Sequence, residues 1–309
     1  MSFDNSPPAI PSTRARRGLR WPVFLFAASW VLWMVAGFLN VSLTPGAAIP
    51  WGAGSLLGVE WAAVGVLLLL ACGASWRRPA LGGAIGISLM TLTLVDLAFT
   101  LGPFTGDLGF PRGAIFMSGS LLTGVAASIW DWSLSRSARA LTRPSVLATV
   151  VASVPAIAWA IAWTPSWWVT NYSVVGAKFS STGTDHMSIP NGNTLTGGAF
   201  EVITGLLILL TPLLLVMWAS LWSDVFDRLW VFLTCGVFLI SIAADSLWQL
   251  GTFPRANAPH WWGWSYHGQI STVATPWLWI SLFAGVALVF DSVVTAAWSR
   301  TATRESVAS

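Results

Sequence analysis

The sequence predicts an all-α polytopic membrane protein with eight transmembrane helices, and three observations carry that reading. The 309 residues are 55% hydrophobic and only 9% charged, with mean hydropathy +0.70, whereas a soluble domain carries roughly 25% charged residues. The apolar residues gather into runs close to the ~20 residues that a spanning helix needs. The basic residues are distributed between the joining loops with one strong side preference.

The runs lie near 21–43, 53–75, 81–102, 113–132, 145–167, 198–222, 229–250 and 271–297. They are continuous rather than alternating, which argues against the two-residue period of a membrane β-barrel. With the N-terminus inside, Arg14, Arg16, Arg17, Arg20, Arg77, Arg78, Arg136, Arg139, Arg143, Arg228, Arg300 and Arg304 flank the inner ends. Only Arg112, Lys178 and Arg255 fall outside. Twelve against three orients the chain with both termini in the cytoplasm, in the cytoplasmic membrane.

Residues 1–19 are Pro/Ser-rich and then basic, which reads as a disordered cytoplasmic tail. The apolar run after them is too long for a signal peptide and has no convincing cleavage site. Residues 300–309 form a second cytoplasmic tail. Cys72 and Cys235 both sit inside apolar runs, so neither a disulfide framework nor a thiolate metal cluster is implied.

The two halves, 20–143 and 144–299, echo each other. The third run ends in Asp96-Leu-Ala-Phe-Thr-Leu-Gly102 and the seventh in Asp245-Ser-Leu-Trp-Gln-Leu-Gly251. Runs two and six each carry one glutamate toward the outer end, Glu60 and Glu201. Runs four and eight carry Asp131 and Asp291 toward the inner end, followed by Ser-Arg at 135–136 and 299–300. Two tandem four-helix halves would be parallel repeats about an axis along the membrane normal. They would bring runs two, three, six and seven to a shared interface.

Glu60, Asp96, Glu201 and Asp245 are the candidate catalytic residues. An acid in a bilayer costs on the order of 2.5–3.5 kcal/mol on insertion scales, so it faces the bundle interior and often marks function. Four carboxylates at one depth repel, so at least one needs a proton or a metal. The competing structural reading is that each acid bonds a neighbouring polar group and fixes helix packing. For Asp131 and Asp291 that plainer role, an ion pair or a helix-end contact, is the expectation. Asp224, Asp227 and Arg228 read as a short solvated turn.

Above the acids lies APHWWGWSYHGQ, residues 258–269, in the last outer loop. Trp261, Trp262, Trp264 and Tyr266 are candidates for holding a cofactor or apolar substrate; an interfacial aromatic belt is the plainer reading. His260, His267 and His186 are all on the outer side and are candidate ligands for copper, iron or zinc. The seven-residue spacing of His260 and His267 matches no short zinc motif. A quinone or lipid-headgroup site with a proton-exchanging histidine is the alternative. No apolar run contains a histidine, which excludes an in-membrane bis-histidine haem.

The run Trp262-Gly-Trp-Ser-Tyr266 resembles a Trp-Gly-Trp-Thr-Tyr segment in the A subunit of particulate methane and ammonia monooxygenases. That resemblance covers five residues, and the family's acidic pairs and copper-ligand pattern have no counterpart placed here. Eight helices with glutamates in the second and sixth are similar in architecture to quinol-interacting membrane subunits of the polysulfide-reductase type. The two likenesses imply copper oxygenase and quinol chemistry, respectively; neither identifies the chain.

The expected function is binding or turnover of a lipophilic substrate in an outer pocket, as a membrane subunit of a quinol- or metal-dependent redox complex. A proton- or cation-coupled transporter built from tandem halves is the first alternative. A non-catalytic anchor for an extracytoplasmic or membrane partner subunit is the second. LLLLACGA after Glu60 and LLILLTPLLLV after Glu201 offer few polar steps inward, which disfavours transport. The lipid bilayer is the expected partner, and no basic surface for nucleic acid is present.

Overall fold

The computed structural model describes residues 21–42, 59–77, 81–101, 112–133, 146–163, 166–172, 178–182, 199–222, 225–261 and 270–308. Eight helices occur among them: α1 Trp21–Ser42, α2 Val59–Arg77, α3 Leu81–Leu101, α4 Arg112–Ser133, α5 Val146–Trp163, α6 Ala199–Trp222, α7 Val225–Trp261 and α8 Pro276–Ala308. Three strands, β1 Ser166–Tyr172, β2 Lys178–Thr182 and β3 Ile270–Ala274, form one antiparallel sheet in the order β2-β1-β3. Two helices hold stretches long and apolar enough to cross a membrane, Asp227–Ala244 and Pro276–Ala297. Five others hold shorter apolar stretches among the described residues.

Three residues separate α2 from α3 and two separate α6 from α7. Links that short make antiparallel neighbours. Side-chain contacts give the same sense elsewhere. The Cys72 thiol near the end of α2 donates to the carbonyl of Val23 at the start of α1, at 3.6 Å. Trp132 near the end of α4 lies 6.5 Å, ring centre to ring centre, from Trp218 near the end of α6. One end of the bundle, called here the sheet end, thus collects the C-termini of α1, α3, α5 and α7 and the N-termini of the even helices.

Each half packs as a ring. α1 and α3 both lie on α2 and on α4, while α5 and α7 both lie on α6 and on α8. Between the rings, α3 packs on α7 and α6, and α2 packs on α7. Raising every helix number by four, and counting past eight back to one, returns the same pairs.

The helix surfaces are apolar on both sides. Phe26, Trp33, Leu67, Leu89, Trp159 and Phe238 fill the interior, yet Ile115 is 76% exposed, Leu122 73%, and Phe283 and Phe290 64% each. Hydroxyls are drawn inward instead. Ser29, Ser88, Ser120, Ser128, Thr234 and Ser281 are buried. Several of them donate to a carbonyl one turn back in their own helix, as Ser88 does to Ala84 and Ser128 to Gly124.

The structure corrects four expectations. Residues 166–172 and 270–274 are strands, so the fifth apolar run stops as a helix at Trp163 and the eighth begins with a strand. SWWVTNY is rich in aromatic and β-branched residues, which fit a pleated surface; β1 pairs β3 with Val169 opposite Val273 and Thr170 opposite Thr272. α7 runs to Trp261 instead of ending near 250, carrying Pro254 and Pro259 within it. Residues 258–261 of the aromatic motif are therefore helical, not loop. Asp227 and Arg228 are buried rather than solvated, because they lie in the first turn of α7 directly after the short link.

Candidate functional site

Four acid-bearing positions fall on the helices that join the two rings. Glu60 is the second residue of α2 and Glu201 the third of α6, both at the sheet end. Asp96 lies in the last two turns of α3. Asp245 lies within α7, which continues 16 residues further to Trp261, about 24 Å of helix at 1.5 Å per residue. Asp245 is thus not near a helix end as expected; helix extends well past it on the sheet side. The side chains of all four acids lie outside the described residues, so their placement rests on the backbone.

Just inward of Asp96 and Asp245, Leu92 and Val95 of α3 face Thr211 and Pro212 of α6 and Phe238, Leu239 and Ile242 of α7 across a cleft; Glu201 stands ten residues, about 15 Å of helix, from Thr211. Val95 immediately precedes Asp96, and Ile242 precedes Asp245 by three residues, so the cleft opens less than one helical turn inward of both aspartates. The gap is only water-sized, about 10 Å³, far below the ~300–1,000 Å³ of a typical small-molecule pocket. Pro212 has no N–H, which removes one backbone hydrogen bond from the middle of α6. The Thr211 hydroxyl donates to Leu207 O at 2.6 Å in the turn before. Sequence reasoning did not single out this cleft; the Thr-Pro step inside LLILLTPLLLV was the available signal.

The opposite end is held by polar contacts. The carboxylate of Asp131, on α4 and 1% exposed, accepts from the Ser75 hydroxyl of α2 at 2.9 Å and from the Gly83 N–H of α3 at 2.8 Å. Gly83 lies in the first turn of α3, where backbone N–H groups lack helical partners and the helix dipole favours a negative charge. Asp131 therefore ties three helices together, the structural role expected for it. Asp291 differs: its Oδ2 is buried without a hydrogen-bond partner among the described residues.

Of the aromatic motif, His260 and Trp261 close α7, with side chains outside the described residues. Trp262, Trp264, Tyr266 and His267 lie outside the described residues altogether, as does His186. The chain re-enters the described structure at Ile270, the first residue of β3 and partner of Tyr172. β3 packs on α7 and β1 on α8, so the sheet holds both flanks of the motif at the same end as the acid tier. Among the described residues no three His, Cys, Asp or Glu side chains gather as a metal site.

The described arrangement is four acid-bearing positions on the joining helices, a small apolar cleft inward of the two aspartates and a hydrogen-bonded node at the far end. Comparison with known proteins supplies no counterpart: no family model matches the chain, and neither does any curated protein or solved structure.

Proposed function

We propose that this chain is an integral membrane protein that binds or converts a lipophilic substrate at the sheet end of the α2–α3–α6–α7 junction. The observation that carries this reading is the convergence of the four acid-bearing helices on one interface, with a small apolar cleft just inward of its two aspartates. The eight helices cross the bilayer with both termini in the cytoplasm, and the sheet end is extracytoplasmic. Outward Ile115, Leu122, Phe283 and Phe290 support the membrane setting, because so many large apolar side chains on helix surfaces suit lipid or a partner better than water. Arg77 in the last turn of α2 supports the orientation.

A molecule that is apolar along its body and polar at its head suits such a site. The head meets carboxylates, and the body parts Leu92, Phe238 and Ile242 to enter between them. A quinol or isoprenoid-like compound has that form, and a redox complex with an extracytoplasmic partner subunit is the setting that supplies electron transfer. Entry from the outer side suffices for this chemistry.

A proton- or cation-coupled transporter is favoured by one separate observation, the pairing pattern that is unchanged when the halves exchange places. Transport also needs a polar path to the far end. The apolar cleft and the Asp131 node beneath the acids argue against one.

The test is the composition of detergent-purified protein, by solvent extraction with mass spectrometry, elemental analysis and an optical spectrum. Wild type is compared with the combined variant Glu60→Gln/Asp96→Asn/Glu201→Gln/Asp245→Asn. A lipophile, quinone or metal retained in fixed stoichiometry by wild type and lost by the variant is the expected result. A wild type free of all three that drives proton-coupled uptake in vesicles would replace this function with transport. A wild type with neither property would leave a non-catalytic partner subunit.

A further inference from the structure

We infer that the chain is a fused pair of parallel four-helix units that move against each other as rigid bodies along the α3/α6–α7 contact. Two independent observations meet in this inference. The first is the pairing pattern. Every extensively packed helix pair maps onto another, or onto itself, when α1–α4 are exchanged with α5–α8. A quasi-two-fold axis at the α3–α7 contact produces that closure, and packing without such symmetry has no reason to.

The second observation is where the polar and close-packed contacts fall. Within the first unit, Ser29 Oγ donates to Ser120 O at 2.7 Å and Ser120 Oγ returns a bond to Ser29 O at 2.8 Å. Trp33 and Trp61 exchange indole N–H donors for each other's carbonyls at 3.0 and 3.3 Å. Asp131 adds the three-helix node. Within the second unit, α7 and α8 cross backbone to backbone: a Cβ on Gly236 would stand 2.7 Å from Gly285 O, and one on Gly285 2.9 Å from Gly236 O. Such close approach is available only to glycine.

The surface between the units is built otherwise. Among the described residues, Leu92 and Val95 face Phe238, Leu239 and Ile242 around a water-sized gap of about 10 Å³, and the Trp132 ring of the first unit lies 6.5 Å from that of Trp218 in the second. Thr211 is the residue there with a side-chain donor, and it bonds within its own helix. Side chains beside even a small gap forgo contacts on one side, and the described apolar side chains there have no directional bond to break when they slide. Small sliding of packed helices is an established mode of domain motion. The acids at the head of the same interface, two from each unit, would change spacing with that motion. This inference concerns the fold and stands whether the junction serves a substrate site or a transport path.

Spin-label distance measurement in lipid nanodiscs tests it on the full chain, in a Cys72→Ala/Cys235→Ala background. The pair Ile115→Cys/Phe283→Cys spans the units. Val59→Cys/Ile115→Cys lies within the first unit and Leu207→Cys/Phe283→Cys within the second. The expected result is a broad or two-peaked distribution for the spanning pair and narrow single peaks for the other two. A spanning pair as narrow as the controls would overturn the motion. A second spanning pair at other exposed positions, Leu122→Cys/Phe290→Cys, repeats the measurement independently; it too should give a broad or two-peaked distribution, and a narrow single peak would overturn the motion.

Discussion

Asp131 on α4 and Asp291 on α8 occupy similar stations in the two halves, yet their surroundings differ. Asp131 is enclosed, and its two oxygens receive a hydroxyl and a helix-terminal N–H. Asp291 is half-buried, and its Oδ2 meets no donor among the described residues. The first half converts an acid into a tie between three helices. The second half relies on the glycine crossing of α7 and α8 and on two long helices, of 37 and 33 residues. The first half also uses close backbone approach, since a Cβ on Gly82 would stand 2.6 Å from Ala71 O and one on Gly83 2.8 Å from Trp132 N; the halves share glycine contacts, and the first adds a polar tie.

Asp131→Ala is expected to have the largest effect, a loss of about 3 kcal/mol, because it strands the Gly83 N–H and the Ser75 hydroxyl in a buried place. Thermal unfolding in detergent measures it. Asp131→Asn, which keeps one acceptor oxygen, should lose roughly half as much. Next, Gly285→Leu should cost about 1–3 kcal/mol, since its side chain enters space held by the α7 backbone. A loss as small as for Gly73→Leu, where nothing lies within 4 Å, would show that the second half is not held by that crossing.

Smaller effects sharpen the contrast. Ser29→Ala and Ser120→Ala should each cost about 1 kcal/mol, and a double-mutant cycle should show them coupled, because each donates to the other's carbonyl. Additive costs would mean the reciprocal pair does not act as a unit. Asp291→Asn should change stability by less than ~0.5 kcal/mol. A loss comparable with that of Asp131→Ala would break the comparison, revealing a partner for Asp291.

Much of the bundle was legible because the helices have sharp apolar limits. The run read as 81–102 is a helix over 81–101, and the one read as 113–132 is a helix over 112–133. α7 was harder. Gly251 and Pro254 are stop signals, yet neither forbids a helix when the residues around it continue the turn. The sheet escaped because β1 begins where an apolar run has not yet ended, and its partner β3 lies about a hundred residues away. Strand pairing at that separation leaves no local period to read. Asp227 and Arg228 read as solvated from their charge, whereas the two-residue link before α7 draws them under the bundle.

The candidate site was legible at the level of helices. The lone acids Glu60, Asp96, Glu201 and Asp245 in apolar runs pointed to α2, α3, α6 and α7, and these helices do pack together. The cleft below them was not legible. It depends on how Leu92, Pro212 and Phe238 fail to fill the space between three helices, and composition holds no record of such a mismatch.

The most direct test of the proposed outward-facing site is the side from which its acid positions can be reached. Asp96→Cys and Asp245→Cys, each in the Cys72→Ala/Cys235→Ala background, are exposed to a membrane-impermeant maleimide in intact cells and in inverted vesicles. The outer-pocket account predicts labelling of both positions from the extracytoplasmic side and protection from the cytoplasmic side. Labelling from the cytoplasmic side, alone or together with the outer side, would contradict it.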